Sequence, residues 1–120
     1  MNRDLTLKLI TTYPLLYRRC SCIECGDGWF ELIYELSSLL EPILSEQYKE
    51  QTDEHCYASQ VKEKWGTLRF YMSLATDEMY DIITIYEDKS SEICDVCGNE
   101  GKTEKIKGWF STRCEMHKEL

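Results

Sequence analysis

The strongest repeating pattern in the chain is an apolar stripe that begins at Trp29. Glu31 and Glu35 fall on the face opposite this stripe. Asp27 is a suitable N-cap for the helix, and Pro42 should kink or end it near residues 40–41. The pattern therefore predicts an amphipathic helix whose apolar face lies in the core. The stripe consists of Trp29, Ile33, Leu36, Leu40 and Ile43, widened by Leu32, Leu39 and Leu44.

Two weaker periodic segments predict further helices. The apolar residues between positions 5 and 10 favour a short helix, although residues 5, 7 and 9 also alternate as in a strand. Pro14 should end this segment, because the residue before a proline is driven out of helical geometry. A later helix has Thr76 as its predicted cap. Its apolar face consists of Met79, Ile82, Ile83 and Tyr86.

The period changes between Tyr57 and Met72. The first half of this segment alternates loosely, and residues 67–72 are rich in β-branched and aromatic strand formers. Gly66 lies between the two halves and favours a tight turn at residues 65–66. The segment predicts a β-hairpin.

The chemistry of the chain is concentrated in two ligand pairs near its C-terminus. Cys94 and Cys97 form one pair, Cys114 and His117 form the other, and each pair has two residues between its members. This is the spacing of a tetrahedral Zn²⁺ site. Short strands at 103–106 and 109–112, with a turn at Lys107-Gly108, and a helix carrying the second pair predict a treble-clef or zinc-ribbon module. The alternatives are four unrelated positions or a strained or redox-active disulfide between Cys94 and Cys97.

These elements together predict an α+β fold in which helices pack on a small antiparallel sheet. A chain of 120 residues with 42% apolar residues suits one domain with a sizeable core. We divide this single domain, residues 1–120, into a helical and β-hairpin core at 1–92 and a zinc-binding module at 93–120.

A second group of cysteines lies before the main helix. Cys20, Cys22 and Cys25 precede two glycines and suggest a tight loop. The chain has enough potential ligands for a second metal site if His55 or Cys56 supplies the fourth ligand. Buried or incidental thiols are the alternative, and a catalytic cysteine with His55 as its base is a third reading.

Charge and hydropathy limit the environment and the partners. The formal net charge is −8, of which residues 1–60 contribute −5 and residues 61–93 contribute −3, whereas residues 94–120 are neutral. Such a balance argues against broad binding of a phosphate backbone and is compatible with a basic protein partner. The N-terminal residues lack the pattern of a signal peptide, and no apolar run approaches the roughly 18 residues of a membrane span. We therefore expect a cytoplasmic protein with reduced thiols and no membrane association.

One segment nonetheless mixes basic and aromatic side chains, as surfaces that stack nucleic-acid bases do. Amphipathic strands show the same mixture for packing reasons alone. The residues are Lys62, Lys64 and Arg69 with Trp65, Phe70 and Tyr71. The predicted zinc hairpin adds Lys102, Lys105, Lys107 and Arg113.

Three blocks together resemble a group of small zinc-binding proteins from bacteriophages and prophages. They are Cys25-Gly-Asp-Gly-Trp29, the segment Val61-Lys-Glu-Lys-Trp-Gly-Thr-Leu-Arg-Phe70, and the two ligand pairs with Gly108-Trp109 between them. The resemblance covers about residues 24–117 and matches all four ligand positions. It implies zinc and a mobile-element setting, hence the cytoplasm of a host cell, but no reaction. Cys20, Cys22 and the His55-Cys56 pair lie outside the shared pattern.

From these features we predict a structural-zinc protein that acts by binding another protein. An inhibitor or regulator of a host nucleic-acid-handling or defence complex fits the acidic surface and the phage setting. A nucleic-acid-binding zinc module is the first alternative, and a metal-dependent nuclease is the second. We expect no enzymatic activity, because four protein ligands close a zinc site and no triad, phosphate loop or zincin motif is present in the sequence.

Overall fold

The computed structural model describes residues 1–49 and 56–119, which form an α+β fold as predicted. The α-helices are α1 (Arg3–Thr12), α2 (Phe30–Lys49) and α3 (Asp77–Ser90). The strands are β1 (Ile23–Glu24), β2 (Ala58–Lys64), β3 (Thr67–Met72), β4 (Lys102–Ile106) and β5 (Trp109–Arg113). Short 3₁₀ turns span Asp27–Trp29 and Glu115–His117. Within the described residues, no helix combines the length and apolar character needed to cross a membrane.

The strands form two sheets. β4 and β5 are an antiparallel pair, and the larger sheet has the order β1-β2-β3. β2 and β3 are antiparallel, whereas β1 runs parallel to β2 with Ile23 opposite Val61. The larger sheet is therefore mixed, which the sequence analysis did not foresee. A two-residue strand is too short for its alternation to be detected.

α2 supplies the centre of the core. Trp29, Ile33, Leu36 and Leu40 are fully buried along the predicted stripe, together with Val61 and Leu68 of the sheet and Met79 of α3. Leu39, by contrast, is 44% exposed. At the fully buried positions, each side chain removed from water contributes about 1.5–3 kcal/mol.

Of the two predicted effects of Pro42, a kink or a helix end near residues 40–41, the helix end is not observed. α2 continues through Pro42 to Lys49. A proline inside a helix costs about 3 kcal/mol, because it removes one N–H and crowds the preceding turn. Leu40 and Leu44, which are both buried, lie on either side of Pro42. Burial of these two side chains offsets that cost and keeps the helix continuous.

The predicted capping role of Asp27 is also wrong. Asp27 lies inside the 3₁₀ turn that precedes α2. Its carboxylate accepts hydrogen bonds from the backbone N–H of Asn2 at 2.7 Å and from the Asn2 side-chain amide at 3.0 Å. Asp27 therefore ties the start of α1 to the start of α2.

Both predicted hairpin turns are present. Trp65 and Gly66 have φ angles of 57° and 88°, and Lys107 and Gly108 have φ angles of 51° and 88°. Two successive positive φ angles define the turn type that matches the twist of β-hairpins. The predicted cap of α3 is confirmed as well, because the Thr76 side chain accepts from the Met79 N–H at 3.2 Å.

Candidate metal centre

The first ligand pair lies on a tight backbone turn. The Gly98 N–H donates to the Cys94 carbonyl at 2.9 Å, and the Cys94 N–H donates to the Asn99 carbonyl at 2.8 Å. Gly98 has a φ of 82°, which favours glycine. The turn holds the side chains of Cys94 and Cys97 on one side of the backbone, as the sequence predicts.

The second pair lies on a single 3₁₀ turn. Cys114 is the residue before this turn, and the His117 N–H donates to the Cys114 carbonyl at 3.1 Å. The sequence analysis expected a helix here, and within the described residues the element is this one turn. One turn is enough to bring Cys114 and His117 to the same face.

The four side chains converge on one point. Their ligand atoms all lie within 4.8 Å of one another. Cys97 Sγ is 3.7 Å from Cys114 Sγ, and His117 Nδ1 is 3.1 Å from Cys114 Sγ and 3.7 Å from Cys94 Sγ. A tetrahedral ion with sulfur ligands at roughly 2.3 Å places those sulfurs about 3.8 Å apart. The cluster could therefore hold one metal ion with little rearrangement.

The surroundings favour the thiolate form of one ligand. Burial of Cys94 opposes ionisation, but backbone N–H groups of Cys114, Cys97 and Val96 outweigh it and lower the Cys94 pKa to about 6. For Cys97, the Asn99 N–H favours the thiolate, yet burial and the neighbouring Cys114 and Cys94 raise its pKa overall. The Cys94 thiol is therefore deprotonated more readily than that of Cys97, and a bound cation would favour the thiolate form of a cysteine ligand.

The start of α2 packs directly against the first ligand pair. The Gly28 N–H donates to the Asp95 carbonyl at 2.9 Å, and the Trp29 indole N–H donates to the Ile93 carbonyl at 2.7 Å. A Cβ atom at Gly28 would lie 2.2 Å from the Cys94 carbonyl oxygen. The two glycines on either side of Asp27 were the available signal, but the sequence analysis took this segment as a tight loop and a helix start and did not foresee its contact with the ligand pair.

The β2–β3 turn supports the module from its other side. The Thr112 hydroxyl donates to the Gly66 carbonyl at 2.6 Å, and Thr112 is fully buried. The Thr103 hydroxyl lies 2.5 Å from the Thr112 hydroxyl and 3.3 Å from the Ser91 carbonyl, so its single proton can be donated to either oxygen. The Asp95 N–H donates to the Thr112 carbonyl at 3.0 Å. Thr112 therefore connects the first ligand pair, β5 and the β2–β3 turn.

The structure does not bring the other cysteines together. Among residues 1–49 and 56–119, the only group of three or more potential ligands is the cluster at Cys94, Cys97, Cys114 and His117. Cys20 and Cys56 are buried, Cys22 is exposed, and burial raises the pKa of Cys25 to about 12. A second site built from these four cysteines is therefore not formed. The versions that use His55, including the catalytic-cysteine reading, lie outside the described residues.

The basic and aromatic residues of the β2–β3 hairpin are divided between its two faces. Lys62 pairs with Arg69 across the strands, and Lys64 is exposed two residues further along β2. Phe70 is buried and cannot stack on a ligand, whereas Trp65 is 66% exposed. The outer face of the hairpin therefore carries the predicted basic side chains but only two of the three predicted aromatic side chains, Trp65 and Tyr71.

Two of the basic residues of the β4–β5 hairpin form ion pairs. Arg113 lies 3.3 Å from the Asp95 carboxylate, and Lys102 lies 3.6 Å from Glu104. Lys105 and Lys107 are exposed on the same hairpin. These two lysines remain as candidates for contacts with an anionic ligand.

Comparison with models of known protein families, with curated proteins and with solved structures gives no significant match. The resemblance of the three sequence blocks to phage zinc-binding proteins therefore stays a prediction.

Proposed function

We propose that the protein is a non-catalytic binding protein whose C-terminal module is held together by one Zn²⁺ ion. The observation that carries this proposal is the convergence of three thiols and one imidazole within 4.8 Å. Sulfur-rich sets of four protein donors are typical of structural zinc, and they leave no position for a reactive water. Zinc is preferred over harder cations because thiolate and imidazole are its usual ligands.

The binding surface that we assign is the exposed side of α3. Asp77, Asp81, Ile85 and Asp88 follow one helix face at intervals of three or four residues, and Tyr80 lies beside them. We call these five residues the acidic α3 face. Ile85 is 54% exposed and Tyr80 is 47% exposed. Within residues 1–49 and 56–119, none of the three carboxylates forms an ion pair.

This combination suits a basic protein partner. Apolar and aromatic side chains at the centre of a contact supply most of the binding energy, while surrounding charges accelerate association and select the partner. The net charge of −8 attracts a basic surface over a longer range. In a bacterial host, basic proteins of this kind include components of nucleic-acid-handling or defence complexes, with or without bound nucleic acid. Binding there would make the protein an inhibitor or regulator in the host cytoplasm.

The experiment compares three zinc-loaded proteins: wild type, Asp81→Lys and Glu31→Lys. Each is immobilised and incubated with nuclease-treated bacterial lysate. Asp81→Lys reverses a charge on the acidic α3 face, and Glu31→Lys makes the same change at an exposed position of α2. We expect a basic protein to be retained by wild type and by Glu31→Lys, and to be lost with Asp81→Lys. Equal retention by all three would contradict the assigned surface, and retention from untreated lysate that disappears after nuclease treatment would contradict a protein partner.

The nuclease alternative has less support. Treble-clef nucleases require a histidine base and additional metal ligands near the helix. His117 belongs to the four-donor cluster, and His55 lies outside the described residues. Metal-dependent cleavage of nucleic acid that is abolished by His55→Ala would establish this alternative and reject the proposal.

A further inference from the structure

The tips of the two hairpins enclose a cleft that the proposed protein contact does not use. The cleft has a volume of about 550 Å³ and lies between the β2–β3 turn and the β4–β5 hairpin. This is within the range of roughly 300–1,000 Å³ found for small-ligand sites. Its lining includes Trp65, Trp109 and Phe110, which are 66%, 78% and 44% exposed. Three large aromatic side chains are thus presented to solvent around one concave surface.

The arrangement of these rings leaves aromatic faces accessible. Trp65 and Phe110 meet edge to face, with ring centroids 6.3 Å apart and planes at 71°. Trp109 lies next to Gly108, where no atom is within 4 Å of the position that a Cβ would occupy. An exposed indole at an open turn contributes little to the core. Its flat face is available to stack on a planar ligand.

The charges around the cleft are mainly positive. Lys64 and Lys105 line it, and Lys107 precedes the open turn. The one acidic side chain in the lining is Glu63, whose carboxylate accepts the Gly66 N–H at 2.7 Å. This excess of lysines occurs in a chain of net charge −8, so it is not a consequence of overall composition.

The cationic surface continues beyond the cleft along β2 and β3. Lys62 and Arg69 are opposite each other across these strands, on the outer face that leads to Lys64. Tyr71 is 38% exposed on the same strand pair, and the Lys62 ammonium lies 5.9 Å from the centre of its ring. A ligand that needs alternate stacking and cationic contacts could follow this path over several residues.

The cleft is held rigid by the contacts of its base. The Thr112 hydroxyl bonds the Gly66 carbonyl at 2.6 Å, and a Cβ at Gly66 would be 3.0 Å from a Thr103 methyl group. The β2–β3 turn is therefore fixed against β4 and β5 before a ligand arrives. A preformed site avoids part of the ordering cost of binding.

We infer that this cleft binds single-stranded nucleic acid, with bases stacked on Trp65 and Trp109 and the phosphates contacted by Lys64 and Lys105. Grooves that combine aromatic platforms with positive charge bind single strands in this way, with little dependence on sequence. The continuing track at Lys62, Arg69 and Tyr71 favours an extended strand over a compact anion. The inference goes beyond the proposed protein contact, because the cleft and the acidic α3 face share no residue.

The test measures the tryptophan fluorescence of the zinc-loaded protein at low salt. The protein is titrated with single strands of about 12 nucleotides, one of deoxythymidine and one of uridine. The chain has three tryptophans, and Trp29 is fully buried, so quenching reports on Trp65 and Trp109. We expect quenching by both oligonucleotides and an affinity that falls as salt rises. Trp65→Ala and Trp109→Ala should each weaken binding of a fluorescein-labelled strand at least about fivefold. Tyr80→Ala, which removes a comparably exposed aromatic ring from α3, should leave it unchanged.

A second pair of variants tests the cations. Lys64→Ala should weaken binding and reduce its salt dependence, whereas Lys89→Ala, at an exposed position on α3, should change neither. These substitutions are at the surface, so thermal unfolding of each variant should match wild type.

Three results would overturn the inference. The first is the absence of binding to either oligonucleotide at low salt, and the second is undiminished binding by folded Trp65→Ala and Trp109→Ala. The third is quenching by an acidic, leucine-rich peptide but not by the oligonucleotides, which would assign the cleft to protein recognition. The purified chain is used without lysate, so failure here leaves the result with the acidic α3 face untouched.

Discussion

The indole N–H of Trp29 donates to the carbonyl of Ile93 at 2.7 Å, joining the 3₁₀ turn before the main helix to the residue before Cys94. Trp29 is fully buried, so its indole has little access to water as an alternative partner. Because a buried donor that loses its partner costs about 1–3 kcal/mol, the position of Ile93 is strongly tied to the core. The potential metal ligands that follow are consequently positioned by this contact as well as by their own turn.

Gly28→Ala should destabilise the protein and weaken metal binding together. The new Cβ would lie 2.2 Å from the Cys94 carbonyl oxygen and 2.6 Å from the Gly98 nitrogen, and both are backbone atoms that cannot move aside cheaply. We expect a loss of about 3 kcal/mol or more in the free energy of unfolding measured in urea, near the upper end for single substitutions.

Gly108→Ala is the control, because its Cβ would meet nothing within 4 Å. It should cost only the backbone strain at φ 88°, about 1–2 kcal/mol, with unchanged metal affinity. Equal losses in both variants would argue against close packing at Gly28.

Thr112→Val should destabilise the contact between the two hairpins. Valine keeps the shape of the side chain but leaves the Gly66 carbonyl without its hydroxyl donor, while the Thr103 hydroxyl keeps its bond to the Ser91 carbonyl at 3.3 Å. We expect a loss of about 1–3 kcal/mol of unfolding free energy, measured in urea. Thr84→Val removes an exposed hydroxyl that bonds the Tyr80 carbonyl within α3, and it should change stability by less than about 0.5 kcal/mol. Similar effects at the two sites would show that Thr112 has no special role.

The purified protein should contain one zinc ion per chain. Chelation or Cys97→Ser should lower the thermal unfolding temperature and unfold the C-terminal module, because metal binding and folding are coupled. Cys22→Ser, at an exposed cysteine outside the cluster, should preserve both zinc content and stability. Elemental analysis and thermal scans measure these outcomes. Two ions per chain would revive a second site, and unchanged stability in chelator would contradict a structural metal.

Cysteine reactivity should differ sharply between two neighbouring positions. Burial raises the Cys25 pKa to about 12, partly countered by the N-terminal ammonium group, whereas Cys22 is exposed. Because only the thiolate reacts, Cys25 should stay protonated and unmodified through pH 7–9 and gain reactivity only as the pH approaches 12. With iodoacetamide at pH 8, mass spectrometry of the zinc-loaded protein should find Cys22 alkylated and Cys25 intact. Equal labelling in the folded state would refute the burial of Cys25, and a urea-unfolded sample should label both.

The elements that the sequence predicted correctly depend on local signals. The spacing of Cys94, Cys97, Cys114 and His117 fixes which side chains can converge, and the structure brings these four together. The turns at Gly66 and Gly108 follow from the freedom of glycine to adopt positive φ. The apolar stripe of α2 follows from the helical period. None of these features requires knowledge of a distant residue.

The elements that the sequence missed depend on distant partners. Asp27 bonds Asn2 rather than capping α2, and the Glu41 carboxylate accepts the backbone N–H groups of Leu15 and Leu16. The Glu87 carboxylate on α3 likewise accepts the Phe70 N–H of β3 at 2.9 Å. The sequence around a carboxylate on a helix does not show whether that carboxylate is solvated or accepts a hydrogen bond from a distant segment. Such assignments require the tertiary structure.

The contact between residues 26–29 and the metal-binding turn also bears on how the molecule can be divided. Many small zinc-binding modules fold on their own when they are produced as isolated fragments and supplied with metal. Here a peptide of residues 93–120 would lose the donors that Gly28 and Trp29 provide to Asp95 and Ile93. Such a fragment should fold poorly on its own, and fusions or truncations intended to isolate it need to retain residues 26–29, which precede the long helix.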